Sequence, residues 1–168
     1  MNEPFIPSDV TFINTRFDPD VTPFHGIAEQ MAAAFGYTAV LSIDDQLAQL
    51  VRLRVAHLTP CSYCLILHTR SALEKGVLPE KVAHLASWRE SLMFTDPEKA
   101  ALEYCEALTN YDLAGFPETH RQLACHFDER QIAELAAVVI NMNLWTRLKL
   151  AQGATPRSSS SGSEERSG

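Results

Sequence analysis

Between Pro23 and Ala151 the chain carries helix-forming residues almost without interruption and has no convincing run of alternating apolar and polar side chains. That pattern leaves little for a sheet-based fold to use and predicts an all-α, compact multi-helical domain. Apolar periodicity and breaker positions place helices at about 23–37, 43–58, 60–75, 79–86, 97–110, 118–127 and 129–151. Pro79 and Pro97 stand at helix starts, where a missing N–H costs nothing, and Gly76 and Gly153 are natural stops. No fixed-period repeat is present, so a solenoid is not expected. Pro4, Pro7, Pro19 and Pro23 predict an extended N-terminal arm over residues 1–22, with Phe5, Ile6, Phe12, Ile13 and Phe17 available to pack it down. Residues 23–153 form the helical domain. Beyond it, 154–168 is rich in serine and read as a disordered tail.

A chain of 168 residues with 46% hydrophobic content can bury one ordinary core. Its net charge of -7 and lack of a basic block argue against nucleic acid as a partner. Arg52, Arg54, His57 and His68 interrupt the longest apolar stretch, so no membrane span is expected. The first residues lack a secretory leader pattern, which points to the cytoplasm and a reducing environment. There, a close cysteine pair suggests redox or metal chemistry instead of a structural disulfide.

The pair lies in Cys61-Ser62-Tyr63-Cys64-Leu65-Ile66-Leu67-His68. Thr59-Pro60-Cys61 reads as an N-cap, a first-turn proline and a cysteine among the unpaired donors of a helix start. The partial positive charge of a helix start favours thiolate. Cys64 follows one turn later and His68 four residues beyond it, so all three share one stripe. Such a stripe can take a thiolate to a sulfenic acid and then to a disulfide, with the imidazole handling a proton. Two bland alternatives stand beside this. The cysteines could be small core residues. His57, Cys61, Cys64 and His68 could instead ligate zinc, although Pro60 interrupts the helix between His57 and Cys61 and structural zinc sites usually draw their second ligand pair from a separate segment. No metal or cofactor is expected.

The motifs resemble the carboxymuconolactone decarboxylase-like and alkylhydroperoxidase D-like family, in its peroxidase-related Cys-X-X-Cys-X-X-X-His branch. Four segments carry the resemblance: Leu50-Val51-Arg52-Leu53-Arg54-Val55 leading into the cysteine motif with Thr69-Arg70, then Trp88-Arg89-Glu90, then Glu98 to Thr109, and Ile140 to Leu148. It spans about 46–151. It implies an alkylhydroperoxidase D-like helical domain assembled as a homotrimer or homohexamer. It also implies a peroxidase that reduces organic hydroperoxides or hydrogen peroxide, recharged by an external dithiol from a lipoyl, thioredoxin-like or peroxiredoxin-system protein. Carried over by position, Cys64 attacks, Cys61 resolves and His68 assists proton transfer. The family's relay glutamate, twelve residues before the first cysteine, is Gln49 here, which cannot take up a proton. Tyr63 stands where the best-known peroxidases have histidine, and His57 is the candidate replacement base. The decarboxylases of the family generally lack the cysteine pair. Dithiol–disulfide exchange or redox sensing without peroxide turnover is the alternative reading, followed by decarboxylation or a non-catalytic, ligand-binding or zinc-binding oligomer.

Among the remaining candidates, Cys105 and Cys125 read as packed core thiols. Trp88 and Trp145 could line a substrate channel but are ordinarily core residues. Arg52 and Arg54 fit salt bridges better than an acidic substrate site.

Overall fold

The computed structural model describes residues 9–159. Strand β1 (Val10–Asn14) opens it, and helices α1 (Phe24–Phe35), α2 (Asp45–Leu58), α3 (Ser62–Glu74), α4 (Pro79–Ala83), α5 (Asp96–Thr109), α6 (Phe116–Ala124) and α7 (Glu129–Gln152) follow before strand β2 (Ala154–Ser158). Short 3₁₀ segments occupy Pro19–Val21 and Leu85–Glu90. The all-α expectation holds for the body of the chain.

Helix α2 is the axis of the core. Leu47, Leu50, Val51, Leu53, Val55 and Ala56 are buried all round it, as are the polar Gln49 and Arg52, and it packs on α3, α5 and α7. Between Leu47 and Ala56, Arg54 alone is not buried. Val51, Val55, Leu135, Val138, Val139 and Met142 form one cluster with both cysteines at its edge, and Leu50, Leu53, Leu85, Trp88 and Leu102 form a second. Helix starts follow local chemistry: Thr95 with Glu98, and Asp128 with Gln131, close capping boxes. The cap of α5 is therefore Thr95, and Pro97 is the second residue of the helix and not the first.

Two expectations fail. The stretch 154–158 is not a disordered tail: β2 pairs antiparallel with β1, Phe12 opposite Pro156 and Asn14 opposite Ala154. Backbone bonds from Thr15 to Gly153 and from Arg16 to Gln152 continue the pairing. Proline is tolerated because either strand of a two-stranded ribbon is an edge. The remainder of that segment, 160–168, and residues 1–8 of the arm lie outside the described residues. Cys125 is exposed instead of packed, whereas Cys105 is fully buried. Among the described residues no helix is long and apolar enough to cross a membrane.

Candidate active site

Helix α3 begins two residues later than Pro60 suggests. Thr59 closes α2, and Cys61 itself, in extended backbone, is the N-cap of α3. Its Sγ accepts the Cys64 N–H at 3.3 Å and lies 2.8 Å from Cys64 Sγ. One sulfur thus takes the capping role that an oxygen usually fills, which stabilises its anion. The Cys61 thiol is drawn down to about 7, chiefly by the hydrogen bond from Cys64, against the opposing effect of burial, with the Cys64 and Tyr63 amides and the Lys149 ammonium adding to it. Cys64 moves up, because it donates to Cys61, is buried and faces the Cys61 charge. The amide donated by Cys64 to Cys61 Sγ favours the anion on Cys61 and the shared proton on Cys64.

His68 is buried, and its environment fixes its proton. Arg52 Nη1 donates to Gln49 Oε1 at 3.2 Å, and Arg52 Nη2 donates to the Phe35 carbonyl at 3.0 Å. The Gln49 amide nitrogen must then face His68, where it lies 2.9 Å from Nδ1 and donates to the His68 carbonyl at 3.1 Å. An amide N–H can only donate, so Nδ1 accepts and the ring proton sits on Nε2. Burial, with the Arg52 and Lys75 charges, lowers the imidazole to about 3. His68 is neutral, an N–H donor and not a free base.

Beside this group lies a cavity of about 330 Å³. Cys64, His68, Leu67 and Tyr63 form its α3 wall, Ala32, Ala33 and Gly36 its α1 wall, and Asn141, Met142 and Trp145 its α7 wall. Cys64 lines it and Cys61 does not. Lys149, also from α7, stands 4.1 Å above the Tyr63 ring, and Phe12 of β1 meets that ring edge-on at 4.7 Å. The ribbon thereby pins the residue between the two cysteines.

The profile of the "Carboxymuconolactone decarboxylase family" matches residues 27–107. The chain is also 30% identical over 118 residues to the uncharacterized protein YdfG of Bacillus subtilis (strain 168), spanning 70% of this chain and 80% of that protein. This chain belongs to the carboxymuconolactone decarboxylase family. The fold recurs in a protein of unknown function from Agrobacterium tumefaciens that carries the provisional label antioxidant defence protein AhpD, with TM-score 0.76, 20% identity and coverage of 84% and 97% of the two chains. It recurs also in the debrominase Bmp8, with TM-score 0.66, 23% identity and coverage of 77% and 73%.

Set on this family fold, the motif residues separate. Cys61 with Cys64, and Gln49 with His68, form two hydrogen-bonded pairs, and Cys64 and His68 share the α3 wall of the cavity. His57 does not join the cavity lining: it sits on the last turn of α2, its Nδ1 buried without a hydrogen-bond partner, and burial beside Arg54 lowers its pKa. Among the described residues no group of three or more His, Cys, Asp or Glu is placed to hold a metal ion. Trp88 is a core residue that donates to Glu106 at 2.7 Å, whereas Trp145 lines the cavity. Arg54 pairs with Glu106 at 2.8 Å. Lys149 and Asn141 escaped the sequence reading. Their signal was the spacing of Asn141, Trp145 and Lys149 four residues apart on one helix, a stripe that only the packing of α7 onto α3 turns into a site wall.

Proposed function

We propose that this protein is a thiol peroxidase in which Cys64 attacks the peroxide and Cys61 resolves it. The observation that carries this reading is the hydrogen-bonded Cys61–Cys64 pair with Cys64 alone facing a substrate-sized cavity. In the resting dithiol Cys61 is the thiolate and Cys64 the thiol. As substrate enters, Cys61 takes the Cys64 proton across the short contact, and Cys64 Sγ attacks the outer peroxide oxygen. An S–O bond forms, the O–O bond breaks, and the leaving oxygen takes the proton now on Cys61, giving alcohol or water. His68, donating from Nε2, steadies the charge on that leaving oxygen. Cys61, again a thiolate, attacks the Cys64 sulfenic acid; the S–S bond forms and hydroxide leaves, to be protonated by solvent. Two electrons pass from the dithiol to the peroxide. An external dithiol, lipoyl, thioredoxin-like or from a peroxiredoxin system, restores the pair by thiol–disulfide exchange, and the working unit is a homotrimer or homohexamer in the cytoplasm.

This scheme accounts for Gln49: with His68 locked as a donor, the first proton acceptor is the neighbouring sulfur. The test is peroxide consumption with dithiothreitol or dihydrolipoamide as reductant. Turnover is expected from the native protein and its loss in Cys64→Ser; equal rates in the two would overturn the reading. The glutamine also favours a second reading, dithiol–disulfide exchange without peroxide. Ready formation of the Cys61–Cys64 disulfide by oxidised glutathione, with no peroxide turnover, is the result that would select it. The likeness to a debrominase makes removal of bromine from a small ring a third arm of the same assay.

A further inference from the structure

Lys149 is a half-buried ammonium to which the peroxidase scheme gives no task. It stands on α7, one turn beyond Trp145, with its Nζ 4.1 Å from the centre of the Tyr63 ring and 5.4 Å from that of the Trp145 indole. Among the described residues it makes no salt bridge with a carboxylate. Aromatic faces attract a cation without neutralising it, and an ammonium drawn out of water calls for an anion.

The platform under that ammonium leads to the sulfurs. Tyr63 is one of the two residues between the cysteines, and Phe12 holds its ring from the strand side. The Lys149 charge lowers the Cys61 thiol and opposes the rise at Cys64, while both sulfurs help keep Lys149 charged against burial. Other charged and titratable groups nearby are engaged elsewhere or neutral. Glu29 of α1 is exposed and faces His25 at 3.9 Å, and its pull on Lys149 is weaker than that of either cysteine. His25 itself pairs with Asp20 at 2.9 Å, and Arg16 donates to the Leu150 carbonyl at 3.0 Å. Arg52 donates to Gln49 and to the Phe35 carbonyl. Burial lowers His57 and His68 and raises the Tyr63 phenol, so none of the three carries charge near neutrality. Lys149 is the cation left to the cysteine pair.

We propose that Lys149 is a positioning residue for the pair: seated on the Tyr63 ring, its ammonium holds the thiolate on Cys61 and, by favouring the reduced state, makes the disulfide a stronger oxidant. The inference rests on a redox-active pair, which the peroxidase and the dithiol–disulfide readings share. In reduction an external dithiol supplies two electrons and is itself oxidised. The S–S bond breaks, Cys64 takes up one proton and Cys61 is left as the thiolate that the ammonium stabilises.

The test uses the full-length protein carrying Cys125→Ser, which removes the exposed thiol; Cys105, pushed up to about 12 by burial, stays silent. Thiolate absorbance at 240 nm against pH then reports the pair, and equilibration with reduced and oxidised glutathione at pH 8 measures the stability of the disulfide. From a Cys61 midpoint of about 7, Lys149→Met is expected to move the transition up by about one pH unit, and Lys149→Arg, which keeps the charge, to leave it in place. The disulfide of the Met variant becomes about fivefold harder to reduce at pH 8, and that of the Arg variant is unchanged. A midpoint unmoved in Lys149→Met, or moved equally in Lys149→Arg, overturns the proposal and leaves Lys149 as a clamp on Tyr63. Failure of the native pair to form a disulfide overturns this proposal and both redox readings. If both expected changes appear while cumene hydroperoxide is not consumed, the role of Lys149 stands and the peroxidase reading falls.

Discussion

At the scale of single residues, Gln49 decides what His68 can do. A carboxylate at this position would accept from Nδ1–H and leave Nε2 as a base; the amide, oriented by the buried Arg52, imposes the opposite tautomer. Gln49→Glu is therefore expected to raise the rate of Cys64 oxidation by peroxide below pH 7 by about a hundredfold, the lower end for a positioned base. A stopped-flow rate that is unchanged or lower would show that the imidazole tautomer does not limit the reaction. The same burial makes the fold acid-sensitive. His68 takes a proton near 6.5 in the unfolded chain and near 3 in the folded one, so between those values the unfolded state binds more protons and stability falls as pH falls. The slope approaches about 1.4 kcal/mol per pH unit for this one group. Urea titrations at several pH values should show that slope lessened in His68→Gln; an identical slope in both proteins would contradict it. The glutamine was legible in the sequence as a departure from the family pattern. Its effect on the tautomer was not, because that depends on Arg52 and on a backbone carbonyl at Phe35, contributed by α1.

At the scale of elements, the start of α3 and the β1–β2 ribbon set the site. Proline spacing marked the helix start to within two residues, but placed the cap on Thr59. The actual cap is Cys61, because Thr59 turns back onto α2, its hydroxyl donating to the Val55 carbonyl at 2.8 Å. The ribbon was illegible for a different reason. A five-residue strand of Ala, Thr, Pro, Arg and Ser has no apolar face, and its partner lies at the opposite end of the chain. What fixes it is the turn out of α7, where Gly153 is left-handed at φ 70° and the space its Cβ would need lies 2.2 Å from Thr15 Oγ1. Gly153→Ala is expected to cost about 1–2 kcal/mol, read as a lower urea midpoint, with Tyr63 loosened through Phe12. A midpoint unchanged or raised would mean that the ribbon does not depend on this turn.

At the scale of the whole molecule, the candidate site is where α1, α3 and α7 meet. Helical periodicity captured seven helices, since those follow from residues three and four apart. It could not bring α7 across to α3, because no local pattern encodes which helix an apolar stripe will face. The division of labour between the sulfurs is the central claim. It follows from that assembly, in which Cys64 lines the cavity between α3 and α7 and Cys61 caps α3 away from it. The most direct test is to treat Cys61→Ser and Cys64→Ser with one equivalent of cumene hydroperoxide, trap sulfenic acid with dimedone and locate the adduct by mass spectrometry. The account predicts the adduct on Cys64 in Cys61→Ser and none at Cys61 in Cys64→Ser; an adduct on Cys61 in Cys64→Ser, with Cys64 unlabelled in the other variant, would contradict it.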